Sequence, residues 1–188
     1  MSYARAGLLI SVKDWFSAPL SDESLMERYA RAGEPKVLSR LYDQHSNALY
    51  YYLLVLSDAD MAADITQKTW LKVIEKKHLY RQEGKFLGWL FTLGRNTLLD
   101  ELRKQHQQNS HCNQVENLVS DSAPLDDIPD FHQLLKRLPF EQKEAFSLQQ
   151  EGFSVHEIST ICRVPHETVK TRLRYAREKL RKALESQS

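Results

Sequence analysis

The sequence predicts an all-α protein: two small helical domains joined by a flexible acidic linker, the C-terminal one containing a helix-turn-helix. Three observations predict this fold class. Apolar residues recur at three-and-four spacing along most of the chain, which is the period of a helix packed on one face. The 188 residues include only six glycines and six prolines. No segment of useful length alternates apolar and polar residues as a half-buried strand does.

A polar, acidic segment predicts the linker. Residues 105–130 hold five Asp or Glu and no Lys or Arg, contain two prolines and show no sustained helical period. That composition is typical of a flexible connector. The segment separates an N-terminal block at 21–104 from a C-terminal block at 131–188, and residues 1–20 are left as an N-terminal extension.

The N-terminal block is predicted to contain four helices. Apolar residues repeat at helical spacing around Leu25 to Tyr29, from Val37 to Leu56, from Ser57 to about Lys77 and from Lys85 to about Lys104. Ser21 or Ser24 can cap the first helix and Ser57-Asp58 offers a cap for the third, because such side chains accept from the free amides of a first turn. Leu71 and Ile74 are counted among the apolar contacts of the third helix.

The C-terminal block contains the sharpest local signals. Helices are predicted from Phe131 to Arg137, from Pro139 to near Gly152, from Val155 to Cys162 and from about His166 to Leu184. Ser154 and Glu157 form a capping box ahead of the third of these, since each side chain can accept from the backbone amide of the other residue. The sequence Arg-Val-Pro at 163–165 then breaks the helix.

A short capped helix, a three-residue break and a longer helix form a helix-turn-helix pattern. Apolar residues of both helices can pack into an internal wedge: Ile158, Ile161, Val164, Val169 and Leu173. The residues that remain outside suit base edges and phosphates: His166, Glu167, Thr168, Lys170, Thr171, Arg172 and Arg174. A helical hairpin with a solvated basic face is the alternative interpretation.

The charge distribution supports nucleic-acid binding. Net charge is +1 for the whole chain, but residues 68–104 hold nine basic against four acidic residues and residues 131–188 hold eleven against seven. These two basic blocks flank the acidic linker. Local basic blocks are the electrostatic footprint of nucleic-acid binding, although a solvated helix face has the same composition.

Two sets of motifs resemble the extracytoplasmic-function (ECF) sigma factors of the sigma-70 family. In the C-terminal block the resemblance rests on Leu138-Pro139, Gly152-Phe-Ser154, Glu157-Ile158 and the run from Val164 to Arg177. In the N-terminal block it rests on Leu41-Tyr42, Asp64-Ile-Thr-Gln67, Thr69-Trp70, Phe86-Leu-Gly-Trp-Leu90, Arg95-Asn96 and Asp100-Glu-Leu-Arg103. The chain departs from the family pattern at Lys68, where an acidic residue is usual, and at Arg163, where glycine is common.

The resemblance implies a transcription initiation subunit. Region 2, at 21–104, would bind RNA polymerase core and the minus-ten element, and region 4, at 131–188, the minus-thirty-five element. Residues implied in docking on the polymerase clamp are Asp64, Gln67, Lys68 and Leu71. Those implied at the minus-ten DNA are Tyr80, Arg81, Lys85, Arg95, Arg103 and Lys104. Those implied at the minus-thirty-five DNA are Arg163, His166, Glu167, Thr168, Lys170, Thr171, Arg172, Arg174 and Arg177.

The resemblance also implies partners: the clamp and flap of polymerase core, promoter DNA and an anti-sigma factor. No catalytic constellation, metal spacing or cofactor motif is evident, and no apolar stretch is long enough for membrane insertion. We therefore expect a cytoplasmic, non-enzymatic protein without a cofactor. Two other functions stay open on the residues alone: a helix-turn-helix regulator that binds DNA by itself, and an interaction protein that sequesters a partner.

Aromatic residues accompany the basic ones in the second half of the N-terminal block. Charge and aromatic rings together suit melted single-stranded DNA, where bases stack on side chains. We interpret Trp70, Trp89 and Phe91 as core residues. Tyr80, in the polar loop at 78–84, is the better candidate for a base contact.

Asp64 and Gln67 have a second interpretation, as polar residues on the solvent-exposed side of a helix or as its caps.

Overall fold

The computed structural model describes residues 20–81, 85–111 and 129–185, and every α-helix mentioned below lies within those ranges. The N-terminal unit contains α1 (Asp22–Ala32), α2 (Pro35–Leu56), α3 (Ala59–Glu75), a short 3-10 turn (Lys77–Leu79) and α4 (Phe86–His111). The C-terminal unit contains α5 (Pro129–Lys136), α6 (Phe140–Gln150), α7 (Val155–Cys162) and α8 (His166–Glu185). The all-α prediction is confirmed, and none of the described helices is long and apolar enough to cross a membrane.

Capping residues determine where the N-terminal helices begin. The Ser21 side chain accepts from the amide of Ser24 at the start of α1, and Asp58 accepts from Met61 at the start of α3. Gly33 ends α1 in the left-handed conformation (φ 67°), which glycine adopts without steric cost. Helix α2 packs against α1, α3 and α4 around a fully buried core that includes Leu41, Leu53, Ile65, Phe86 and Leu90.

Helix α4 is longer than the sequence predicts. It continues to His111, seven residues beyond Lys104 and into the segment assigned to the linker. The prediction ended the helix where the apolar period ends. No glycine or proline occurs between Lys104 and His111, however, so nothing in the backbone terminates the helix there. The last two residues of the expected linker, Pro129 and Asp130, also belong to a helix, because α5 begins at Pro129 and not at Phe131. Residues 112–128 of the linker and the N-terminal extension up to residue 19 lie outside the described residues.

The C-terminal unit is built around α8. This helix packs against α6, α7 and α5 and buries Val169, Leu173, Ala176 and Leu180. The capping box at the start of α7 is present, with the Ser154 hydroxyl 3.3 Å from the Glu157 amide and the Glu157 carboxylate 2.9 Å from the Ser154 amide. The predicted Val155–Cys162 helix is confirmed at both ends.

The two units pack directly against each other. Helix α2 contacts α5 and α6, while α4 contacts α7. At this interface the rings of Phe91 on α4 and Phe153, ahead of α7, lie with their centroids 5.0 Å apart. The sequence predicts two domains and a linker but does not predict this contact, because the residues that form it are separated by long stretches of chain.

Candidate functional site

The helix-turn-helix forms as the sequence predicts. Ile158, Ile161, Val169 and Leu173 are buried in the wedge between α7 and α8, and Val164 is half-buried at its edge. The Ser159 hydroxyl donates to the Val164 carbonyl at 2.7 Å, which holds the turn closed. This packing fixes the angle between the two helices and leaves the N-terminal half of α8 on the surface, where it can enter a major groove.

Arg163 makes the turn at a steric cost. Its φ of 57° and ψ of 47° lie in the left-handed region, and among the described residues other than glycine it alone has a positive φ. A side chain at this conformation clashes with the backbone, which glycine avoids. The Arg163 side chain itself is exposed beside the start of α8.

The outward residues of α8 divide into two groups. His166, Glu167, Lys170, Thr171, Arg174 and Arg177 are exposed, whereas Thr168 and Arg172 are half-buried. Several already have a partner within the chain: the Lys170 ammonium lies 2.7 Å from the Glu167 carboxylate, and Arg177 donates to the Gln149 side chain at 2.6 Å. These contacts are exposed, so DNA phosphates can replace them at little cost.

A histidine pair lies at the tip of the helix-turn-helix. The ring nitrogens of His156 on α7 and His166 on α8 are 3.0 Å apart, and both side chains are exposed. His166 was predicted to face DNA, whereas no role was predicted for His156. The capping box places His156 on the outer side of the first turn of α7, ten residues before its partner, and that proximity depends on the angle between the helices.

The candidate docking surface follows one side of α3. Asp64, Gln67 and Leu71 are all exposed there, as expected for positions three and four residues apart on a helix. Leu71 is 57% exposed and Ile74, one turn farther on, is 43% exposed. The prediction that both contribute to the apolar contacts of this helix was wrong: its period places them on the side opposite Ile65 and Val73, which are buried.

Lys68 is held by acidic residues of its own chain. Its ammonium lies 2.6 Å from the Asp64 carboxylate and 3.6 Å from that of Glu101 on α4. The hydrogen bond with Asp64 raises the pKa of Lys68. The basic residue at this position therefore neutralises part of the acidic character of the docking surface.

The residues expected at the minus-ten DNA do not form a single surface. Tyr80 is half-buried against the rings of Phe86 and Trp89, and its pKa is raised to about 12 by burial and by the nearby carboxylates, first that of Glu23. Arg81 is exposed. Trp70 and Phe91 are buried, which confirms their assignment to the core, while Trp89 is only half-buried.

The basic members of that set point in different directions. Arg103 and Lys104 lie beside Asp100 and Glu101 (3.3 and 3.6 Å) and line a groove shared with Lys68 and Leu71 of the docking helix. Arg95 and Arg103 are eight positions apart on α4, which is roughly 12 Å along the helix. Arg95 and Lys85 instead face the C-terminal unit, where each forms an ion pair.

The sequence predicted neither of the two carboxylates as a partner in those ion pairs, although it predicted Glu157 as a helix cap. Lys85 lies 2.9 Å from Glu157, and Arg95 lies 2.7 Å from Glu144. The hydrogen bonds from Lys85 and from Ser154 lower the pKa of Glu157 to about 2. Among the described residues no three His, Cys, Asp or Glu side chains are grouped so that they could hold a metal ion.

Comparisons with known proteins identify a family for each of the two units. Residues 41–108 match the family model of sigma-70 region 2, and residues 129–180 match that of sigma-70 region 4. The chain is 29% identical over 169 residues to the ECF RNA polymerase sigma factor SigL of Mycobacterium tuberculosis, covering 83% of this chain and 93% of SigL. It is 30% identical over 129 residues to the ECF sigma factor EcfG of Rhodopseudomonas palustris, covering 65% of this chain and 71% of EcfG.

A solved structure shows the same architecture. The sigma factor RpoE of Bartonella quintana, crystallised with the anti-sigma factor NepR, matches with a TM-score of 0.68 and 29% identity. The match covers 80% of this chain and 98% of that one.

Proposed function

The chain belongs to the ECF group of the sigma-70 family, and we propose that its two helical units divide the family's task between them. As a sigma factor it binds RNA polymerase core and directs it to promoters, where transcription begins. Region 2, at 21–104, is proposed to bind core and the minus-ten element. Region 4, at 131–188, is proposed to bind the minus-thirty-five element.

The observation that carries the region 4 proposal is the exposed basic start of α8 on a rigid helix-turn-helix. Lys170, Thr171 and Arg174 are exposed on the half of α8 that the wedge leaves free. Arginine and lysine suit guanine edges and phosphates, and threonine suits the backbone or a thymine methyl group. We assign base contacts to Arg172 and its neighbours and phosphate contacts to Arg177, which lies farther along the helix.

The proposed polymerase-binding surface is the exposed side of α3. Asp64 and Gln67 supply polar groups, and Leu71 with Ile74 supplies exposed apolar area. Exposed apolar side chains surrounded by polar ones are typical of a protein interface. Ile74 is an addition to the set implied by the family resemblance.

The proposed minus-ten surface centres on Tyr80 and Arg81, next to the start of α4. Tyr80 packs edge-on against Trp89 with ring centroids 5.4 Å apart. An aromatic group beside an exposed arginine suits an unstacked base and its phosphate. Arg95 would join this surface only when the C-terminal unit moves away, whereas the exposed Lys85 would need only to release Glu157.

We further propose that the chain has no catalytic activity of its own, since polymerase performs the chemistry. We propose that it acts in the cytoplasm, where polymerase and promoters lie. The likeness to RpoE, which was crystallised with an anti-sigma factor, supports a similar inhibitor for this chain.

Run-off transcription tests the proposed function. Purified polymerase core is incubated with and without the protein on DNA from upstream of its own gene. We expect a discrete transcript only when the protein is present. Band-shift titration of the same DNA with the protein alone tests the competing function. Stable specific binding without polymerase, combined with no transcript, would indicate an independent DNA-binding regulator instead.

A further inference from the structure

A buried ion pair joins the two units at the centre of their interface. Arg95 on α4 donates from Nε to one oxygen of Glu144 on α6 at 2.7 Å and from Nη2 to the other at 3.3 Å. The Glu144 side chain is 0% exposed and the Arg95 side chain 13% exposed. Burial opposes the charged form of Arg95, but the hydrogen bond and the charge of Glu144 outweigh it, so the pKa of Arg95 is raised.

Other polar groups of both units surround the pair. The Cys162 thiol on α7 donates to Glu144 Oε2 at 3.4 Å, and the buried Tyr52 hydroxyl on α2 lies within reach of the Glu144 charge. Burial and then the charge of Glu144 raise the pKa of both the thiol and the phenol. Both groups are therefore neutral at physiological pH, so Arg95 and Glu144 are the charged members of this buried cluster.

The Arg95–Glu144 pair makes Arg95 unavailable to DNA, because the Arg95 side chain is only 13% exposed and its charge is satisfied by Glu144. Lys85 also pairs with the C-terminal unit, through Glu157, but its side chain stays exposed. We propose that the packed arrangement is a closed state of the sigma factor, latched by the Arg95–Glu144 pair, in which Glu144 occupies the place that a DNA phosphate takes in the open state. This inference rests on the proposed function of Arg95.

The physics of buried ion pairs suits a latch. Taking both charges out of water offsets most of their attraction, so an intact pair adds little net stability and the units can separate when polymerase and DNA compete. Removing one partner leaves the other charged and buried, which shifts the equilibrium towards opening by on the order of 100-fold or more. Replacing both by neutral groups removes that penalty, and the closed state should then return.

Small-angle X-ray scattering on the full chain tests the latch. The variants are Glu144→Gln, Arg95→Gln and the double variant, and the matched control is Glu141→Gln, which changes an exposed carboxylate on the same helix. We expect each single variant to increase the radius of gyration with unchanged helical circular dichroism. The double variant should return towards the wild-type value, and the control should match the wild type.

A functional measurement accompanies the scattering. Glu144→Gln should raise the affinity for polymerase core or promoter DNA, by up to the factor by which the closed state is depleted. Two folded single variants as compact as the wild type would overturn the proposal. So would a double variant as open as the singles, or an open Glu144→Gln protein with unchanged affinities. If Glu144→Gln loses helicity, the radii of gyration of Arg95→Gln and of the double variant test the latch instead. If the wild-type protein supports no transcript, the proposed function is refuted. The scattering of the variants would still test whether the Arg95–Glu144 pair holds the two units together.

Discussion

Arg163→Gly is expected to stabilise the protein while weakening its binding to DNA. At φ 57° and ψ 47°, Arg163 holds a left-handed conformation that costs a residue with a side chain about 1–2 kcal/mol. Glycine removes this strain but gives the unfolded chain more freedom, worth about 0.4–1 kcal/mol. The net gain is roughly 0.5–1 kcal/mol, which in a chain of 188 residues raises Tm by about 1–4 °C.

Loss of the Arg163 side chain is expected to weaken DNA binding, although the change to glycine stabilises the fold. Arg163 is exposed next to the start of α8, where a phosphate of bound DNA would lie. Losing one phosphate contact should lower affinity on all sequences and reduce the slope of log affinity against log salt by about 0.9. Thermal unfolding measures the first effect, and titration of minus-thirty-five DNA at several salt concentrations measures the second.

Arg163→Ala is the matched control. Alanine loses the charge but keeps the clash, so it should weaken DNA binding as much as glycine does without raising Tm. If the glycine variant unfolds at or below the wild-type temperature, the backbone of Arg163 is not strained as proposed. If neither variant changes the salt slope, Arg163 does not contact a phosphate.

Three further predictions concern the other surfaces. Asp64→Ala with Gln67→Ala should weaken a pull-down with polymerase core while helical circular dichroism stays normal, and unchanged retention of core would remove α3 as the docking surface. Arg172→Ala should cost about 1–3 kcal/mol of DNA affinity and relax preference at one promoter position, so an equal loss on every sequence would indicate a phosphate contact. The pKa of Glu157 is lowered from about 4.5 to about 2. Its contribution to the free energy of unfolding is therefore complete above about pH 4.5 and is lost as pH falls towards 2. Between pH 5 and 3, Tm should therefore fall more steeply in the wild type than in Glu157→Gln, and equal slopes would contradict the roles of its cap and of its Lys85 contact.

Local signals in the sequence predicted most of the helix-turn-helix. The capping box at Ser154 and Glu157 and the apolar period through Val169 and Leu173 act over four residues or fewer, so neighbouring residues determine them. The same reasoning was wrong about Ile74, because an apolar residue fits the pattern of a helix whether it packs inward or forms an exposed interface. It also ended α4 too early, because an exposed helical turn needs no apolar residues.

The amino-acid sequence by itself determined the fold class, the two-unit organisation, the family and the basic face of α8. Each of these depends on composition or on spacings within a single helix. Only the tertiary structure decided that the two units pack together and that Arg95 pairs with Glu144, forty-nine positions away. The residues next to Glu144 in the sequence give no sign that it differs from an exposed glutamate on a helix. What distinguishes it is burial, because removing water from a carboxylate makes a cationic partner necessary. Whether water is removed depends on which helices meet, and no local pattern of residues contains that information.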